Sequence, residues 1–310
     1  MMLFSEAEVE RLLPIADAIT VVESSMLALG GGEAGNLPRR RLFTPQHAGL
    51  HAMEAALNYG GRWYLGFKVY STGTSGAHFL VGLYDGSDGR PLAFFEADRL
   101  GQRRTGAASG VATRLLARPE ASCLAVLGAG WQAESQVEAV CAVRHIRQLR
   151  VYSRNPDSRT EFARTMGKKL GLEATAVADA ASAVRGADIV VTATTSGAPV
   201  LPDEAVVPGM HINAVGGNQL KRRELEADTL RRCDRLVVDS REQARLEAGE
   251  LAIEPPVWDR VEELPSVVSA KAGRQSPSEI TVFKSTGLAI WDVACAAHVY
   301  SQALRQGAAQ

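Results

Sequence analysis

The stretch Ser122-Cys123-Leu124-Ala125-Val126-Leu127-Gly128-Ala129-Gly130-Trp131-Gln132-Ala133-Glu134 has the residue types and spacing of a phosphate cradle. An apolar run turns on glycines and opens a helix, the layout of a dinucleotide-binding strand, loop and helix. Gly128 permits a tight turn, and Gly130 has no side chain to hold a pyrophosphate away from the backbone. Ala133 is small enough for the helix to pack on the strand, so phosphates would lie on helix N–H groups at the positive end of the dipole. Ala129, Trp131 and Gln132 complete the candidate cradle. The ribose of such a ligand is read at the end of the next strand, about 20 residues on, where an acid favours NAD. Val151-Tyr152-Ser153-Arg154-Asn155 offers no carboxylate there. Ser153 and Arg154 suit a 2′-phosphate instead, so NADP(H) is the expected cofactor and NAD(H) the alternative. Thr192, Thr194 and Thr195 stand at the carboxyl end of a later strand, either to meet the cofactor or simply to end the strand.

These residues need a parallel sheet to position them, and from Ser122 onward strands and helices alternate as such a sheet requires. Strands are expected at 123–127, 149–152, 189–193, 212–215 and 236–239, with helices near 132–143, 159–170 and 179–184. Before this region the pattern differs. Ser5-Glu6-Ala7-Glu8 has the form of a capping box, and a second helix stops at Gly30-Gly31-Gly32. Runs at 50–55, 63–70, 78–84 and 91–95 then read as strands, the last two joined by a hairpin turn at Gly86-Ser87-Asp88-Gly89. The small residues of 103–113 suit a helix that packs closely, and Ala117-Arg118-Pro119 marks a boundary. After a last strand or loop at 280–283, a helix over 288–304 is expected to return to the first domain. The fold class is therefore α/β: a Rossmann-type doubly wound parallel sheet over 119–285, and an α+β domain over 1–118 joined by 286–310.

The totals agree with two domains, because 310 residues exceed the usual reach of one hydrophobic core. A net charge of −1 with no long basic run argues against a nucleic-acid partner. No apolar run reaches the roughly 18 residues of a membrane span, and no secretory leader is evident, so neither membrane nor export is expected. The four cysteines are scattered without metal-ligand spacing. A reduced cytoplasmic location without structural metal is the expectation.

Five segments, in order, resemble the ornithine cyclodeaminase and mu-crystallin family. They are Gly66-Phe67-Lys68; Arg104-Thr105-Gly106-Ala107-Ala108-Ser109; Gly128 to Ala133; His211-Ile212-Asn213-Ala214-Val215-Gly216-Gly217 followed by Arg223-Glu224-Leu225; and Val282-Phe283-Lys284-Ser285-Thr286-Gly287. The resemblance spans nearly the whole chain. It implies an NAD(P)-binding fold, a homodimer built through the N-terminal sheet, and hydride transfer at the Cα–N bond of a small amino-acid or imino-acid substrate. By resemblance, Asn213, Val215, Gly216, Ser285 and Gly287 would approach the nicotinamide.

A substrate carboxylate in a closed site needs fixed cations. Arg104 at a helix start and Lys68 on a strand are the candidates for catalysis and substrate binding. The family pattern places a third cation among Arg39, Arg40 and Arg41, and spacing to Met53 favours Arg40. The cyclodeaminases of the family carry an aspartate after the Asn-Ala-Val-Gly-Gly run, whereas this chain has Asn218. An amide is no general base, so cyclisation loses its proton acceptor while reduction of a preformed imine does not. His78, on a strand expected to line the pocket, and His51 are the places to look for another proton carrier. An imine or ketimine reductase or amino-acid dehydrogenase is the leading expectation. An ornithine cyclodeaminase, or a binding protein without turnover, is the alternative.

Overall fold

The structure, a computed structural model, describes residues 1–254 and 256–307. The chain forms two compact units, one of Met1–Ala107 with the chain from Gly287 on, the other of Ala108–Thr286. The expected boundary at 118 moves to 107, because the helix of small residues is continuous and the division falls within it.

The first unit opens with β1 (Met2–Phe4), α1 (Glu6–Leu12) and α2 (Ile15–Gly30). The capping box at Ser5 and Glu8 is formed, with both side chains bonded to the opposite backbone N–H. There follow β2 (Ala34–Asn36), β3 (Arg40–Phe43), β4 (Gly49–Tyr59), β5 (Arg62–Gly73), β6 (Gly76–Asp85), β7 (Pro91–Glu96) and α3 (Asp98–Leu116). The sheet runs β1-β7-β6-β5-β4-β2 with β3 also on β4. It is antiparallel except for the parallel pair of β1 and β7.

Strand alternation gives this sheet two unlike faces. Cross-strand pairing puts Met53, Lys68, Val81 and Phe95 in one row of the inner face. Arg41, His51, Tyr70 and Phe79 form the neighbouring row. The C-terminal helix, Ala289–Gly307, packs over this face and buries Trp291 and Val293 completely. Each such large side chain contributes about 1.5–3 kcal/mol. Gly66 makes that approach feasible, since a Cβ there would stand 2.8 Å from Val293 Cγ2. The opposite face is open and apolar, with Leu50, Trp63, Leu65 and Leu80 exposed.

The second unit contains β8 (Cys123–Leu127), α4 (Trp131–Val143), β9 (Gln148–Tyr152), α5 (Pro156–Leu170), β10 (Glu173–Ala176), α6 (Ala180–Val184), β11 (Ile189–Thr192) and β12 (His211–Ala214). It continues with α7 (Ala227–Arg232), β13 (Arg235–Val238), α8 (Arg241–Glu247), β14 (Val261–Glu263), α9 (Leu264–Ser269) and β15 (Thr281–Lys284). All eight strands are parallel, in the order β10-β9-β8-β11-β12-β15-β13-β14. β8 is buried throughout, as befits a strand covered on both faces. The chain winds outward from β8 through β9 to β10, then returns to β11 on the other side. β8 and β11 therefore flank the switch point where doubly wound sheets take their ligands.

Candidate active site

At that switch point Gly128 has φ +120, and a Cβ on it would lie 2.4 Å from Ala193 O just beyond β11. Only glycine fits both the left-handed backbone and the close approach. Gly130 differs: it is the N-cap of α4, in extended conformation, with no side-chain cap, and a Cβ there would meet nothing within 4 Å. Open space before an uncapped helix N-terminus fits a pyrophosphate. Ala129 is half-buried, and Trp131 and Gln132 are exposed at the start of α4. At the end of β9, Ser153 Oγ donates to Asn155 O, and Asn155 caps α5 through Asp157 N and Ser158 N. Arg154 is left exposed on that loop, with no acid in the run around it.

Two buried carboxylates, whose partners no motif in the sequence reveals, organise the rest of this edge. Glu224 accepts from Thr192 Oγ1 at 2.8 Å, Thr194 N and Oγ1 at 2.7 Å each, and Gly216 N at 2.8 Å. Asp239 accepts from Ser285 Oγ at 3.0 Å, Thr286 N at 2.6 Å and Thr286 Oγ1 at 3.0 Å. The hydroxyls of Thr192 and Thr194, read as either meeting the cofactor or ending the strand, and of Ser285, placed near the nicotinamide by resemblance, are engaged in tying loops together. Asn213 is likewise a core residue, its amide donating to Thr113 Oγ1 at 2.9 Å and its oxygen 3.2 Å from His211 Nε2. Gly216 is required by packing, since a Cβ would lie 2.2 Å from Thr194 O. Val215 N continues the sheet by bonding Thr192 O. Lys284 donates to Gly217 O at 2.7 Å and ion-pairs with buried Glu250 at 3.1 Å, fixing the segment that leads to half-buried Asn218.

The first unit gathers the cations. Lys68 Nζ and Arg104 Nε both bond Asp292 Oδ1, at 2.9 Å and 3.1 Å, and none of the three is more than 7% exposed. Two cations on one carboxylate leave a positive charge in excess, and Arg104 Nη1 is buried without a partner. Burial is the main cause that pulls the Lys68 ammonium down from 10.5 to about 8; Asp292 opposes this and Arg104 adds to it. A Cβ at Gly101 would stand 2.9 Å from Lys68 Nζ, and one at Gly287 (φ +86) would stand 2.6 Å from Arg104 Nη1. Gly287 thus stands directly against the cation cluster.

Two expectations are corrected here. Arg40 is exposed and pairs with Glu54 on the open face, whereas its neighbour Arg39 is 6% exposed, with Nε 3.2 Å from Met53 Sδ and Nη2 3.4 Å from Gly287 O. The β alternation that begins at Arg40 turns its side chain outward. His78 fails for the same reason: its neighbour Phe79 shares the row of Tyr70, so His78 faces the opposite side, exposed near Ser75. His51 is on the inner face, stacked on Tyr70 at 4.3 Å. Its Nε2 is 3.0 Å from Thr72 Oγ1, and its Nδ1 is buried with no partner. Burial, reinforced by Arg41 and Arg39, lowers its pKa from 6.5 to about 4. Among the described residues no cluster of His, Cys, Asp or Glu suits a metal ion.

A doubly wound sheet with a glycine cradle at its switch point, together with a sheet unit holding an unbalanced cation cluster, defines a two-unit α/β protein of the dinucleotide-binding class. The model of the ornithine cyclodeaminase/mu-crystallin family matches residues 1–307, and the chain belongs to that family. It is 40% identical over 236 residues to a Delta(1)-pyrroline-2-carboxylate reductase of Bacillus cereus, covering 74% of this chain and 72% of that one. The structure of Thermococcus litoralis Delta(1)-pyrroline-2-carboxylate reductase in complex with NADH and L-proline superposes with a TM-score of 0.91 at 36% identity, covering 99% and 98% of the two chains. A probable ornithine cyclodeaminase from Bordetella pertussis gives 0.93 at 31% identity, covering 99% and 98%.

Proposed function

We propose that this protein is an NAD(P)H-dependent imine reductase acting on a small carboxylated imine, with Δ1-pyrroline-2-carboxylate the first candidate. The observation that carries the reading is the Lys68–Asp292–Arg104 cluster, whose excess positive charge and unpartnered Arg104 Nη1 call for an anion. A substrate carboxylate would complete it through charge-assisted bonds that also fix orientation. The similarity to reductases that act on such an imine supports the same assignment.

Reduction adds a hydride to the carbon of the protonated imine, whose nitrogen brings its proton with it from solution. A bound reduced nicotinamide supplies the hydride. The chain's own part is to hold the dinucleotide on the Gly128–Gly130 loop and to grip the carboxylate with Lys68 and Arg104, joined by Arg39. With its pKa near 8, Lys68 keeps its proton at neutral pH and sustains that grip. NADPH is the preferred form, because Arg154 is exposed and the run 151–155 at the end of β9 holds no acid to repel a 2′-phosphate. Asn218 takes no proton from an amine, so deamination of ornithine is not part of this activity.

The test is to follow NADPH and NADH oxidation with cyclic imino acids, and to incubate ornithine with catalytic NAD while looking for proline. Imine reduction without proline formation is expected; rapid proline formation by the unmodified protein would overturn the reading. The open apolar face of the first unit's sheet supports a homodimer built on that face. Sedimentation of Leu65→Lys should show monomer where the parent shows dimer.

A further inference from the structure

The ion pair at the end of β15 takes no part in gripping a carboxylate, yet it is buried as deeply as the apolar core. Lys284 and Glu250 are both 0% exposed, with Nζ and Oε2 3.1 Å apart. Taking two charges out of water costs more than their attraction commonly returns, and an apolar pair of similar volume would serve stability as well. What the pair adds is direction, because a lysine fixed by a carboxylate aims its remaining N–H groups. Lys284 aims one at Gly217 O, 2.7 Å away. Pairing of β15 with β12 puts Lys284 level with Ala214, at the strand end from which the chain runs on to Gly216 and Gly217.

Two glycines in succession give that run a backbone freedom that other residues would not. Packing restrains Gly216, but at Gly217 a Cβ would only touch its surroundings, 3.5 Å from Glu250 Oε1 and 3.6 Å from Lys284 Nζ. Hydrogen bonds supply the restraint that packing does not. Gly216 N donates to Glu224 Oε2 at 2.8 Å on one side, and Gly217 O accepts from Lys284 on the other. Glu250 joins the two, because its Oε1 accepts from Glu224 N at 3.0 Å while its Oε2 faces Lys284. It is carried on the turn Gly249–Leu251, which packs against the loop before Glu224, where a Cβ at Gly249 would lie 2.1 Å from Arg222 O. The result is a closed circuit of buried polar contacts around the two glycines, and Asn218 is the next residue out.

We propose that Lys284, neutralised by Glu250, is a positioning residue for the reduction: by holding Gly217 O it sets the place of the segment 216–218, and with it the nicotinamide end of a bound dinucleotide. This rests on the reductase reading, with that segment beside the nicotinamide. The rest of the dinucleotide belongs to the Gly128–Gly130 loop and the end of β9, outside the circuit, so loss of the pin is felt at one end of the ligand only.

Calorimetry with NADH and with ADP-ribose, the same molecule without its nicotinamide, reads the two ends separately. The parent should bind NADH at least about tenfold more tightly than ADP-ribose. The double variant Lys284→Met with Glu250→Gln removes the pin without leaving a lone buried charge, and it keeps an acceptor for Glu224 N. It should bring the two ligands within about threefold of each other, while ADP-ribose affinity stays within about twofold of the parent's. Its kcat for an imino acid should fall about a hundredfold, with KM changed less than about threefold. Should it not fold, Lys284→Gln with Glu250→Gln, polar throughout but one bond too short to hold Gly217 O, takes its place with the same expectations. A folded double variant that keeps the parent's preference for NADH overturns the proposal. One that loses NADH and ADP-ribose alike overturns it too, as does failure of both variants to fold, because the pair is then a prop for the fold. Equal binding of the two ligands by the parent also overturns it and leaves the reductase reading standing. A parent that binds neither ligand, or that reduces no imino acid, overturns that reading itself.

Discussion

The two units prepare for ligands in opposite ways. In the second, the ligand edge is backbone: Gly128 and Gly130 leave room, while Glu224 and Asp239 hold the flanking loops by accepting their N–H and O–H groups. In the first, the site is side chains, with Lys68, Arg104 and Asp292 brought together from two strand and helix segments and the C-terminal helix. A backbone cradle tolerates variation in what surrounds it but not in its glycines. A charge cluster depends on every member, because removing one leaves another buried without compensation.

The largest effect should come from breaking the cluster. Arg104→Leu is expected to lower kcat/KM for an imino acid by about a thousandfold, near 4 kcal/mol of transition-state binding. Dinucleotide affinity, measured by fluorescence titration, should change less than about twofold, since the cradle is in the other unit. A variant with parental kinetics would remove Arg104 from the site.

On the backbone side, Glu224→Ala would leave four donors without their acceptor. A loss of about 3–5 kcal/mol in stability is expected, read as a lower melting temperature together with weaker dinucleotide binding. Unchanged dinucleotide affinity would show that these loops do not shape the cradle.

Lys68 sharpens the comparison through pH. Its folded pKa is depressed, so the unfolded chain binds the proton more tightly. The cost of burying the charge is present below pH 8 and is relieved as pH rises from about 8 towards 10.5. Activity runs the other way: kcat/KM should fall about tenfold per pH unit above 8 as the ammonium is lost. In Lys68→Arg that limb should disappear, since the guanidinium keeps its charge. A parent profile flat to pH 10 would show that the Lys68 charge is not used.

The smallest effect concerns Arg154. Being exposed, it is expected to favour NADPH over NADH by about tenfold or less, and Arg154→Asp should reverse the order. Equal affinities in the parent by calorimetry would remove the 2′-phosphate role.

What could be read from the sequence follows the same division. The cradle was legible because its logic is local: strand, glycine turn and helix are contiguous, and β8 runs over the very residues expected of it. The parallel strands were found within a residue or so because buried runs are continuous. β10 and β14 were missed because they are short edge strands with polar residues. Lys68 and Arg104 stood in recognisable segments, but Asp292 did not. It is 224 and 188 residues from its two partners, in a helix that reads as an apolar stripe. An acid among Ile290, Trp291 and Val293 was the available signal. Arg39 was passed over for Arg40 because the choice depends on which residue begins the β alternation. Glu224 was seen as part of a motif, yet its partners come from two other loops.

The place of Asp292 in the chain also sets an order of events during synthesis. Arg104 leaves the ribosome 188 residues ahead of Asp292, and at 5–20 residues per second that is roughly ten to forty seconds. Through that interval most of the second unit emerges, but its central strand β15 is made only just ahead of Asp292, so the cations of the first sheet stay hydrated until both cores are completed by the last part of the chain. The Lys68–Asp292–Arg104 cluster therefore comes into being last, as the C-terminal helix closes onto Gly66. A chain ending before residue 281 would lack both β15 and the C-terminal helix, leaving both units open, a form suited to recognition by chaperones or proteases.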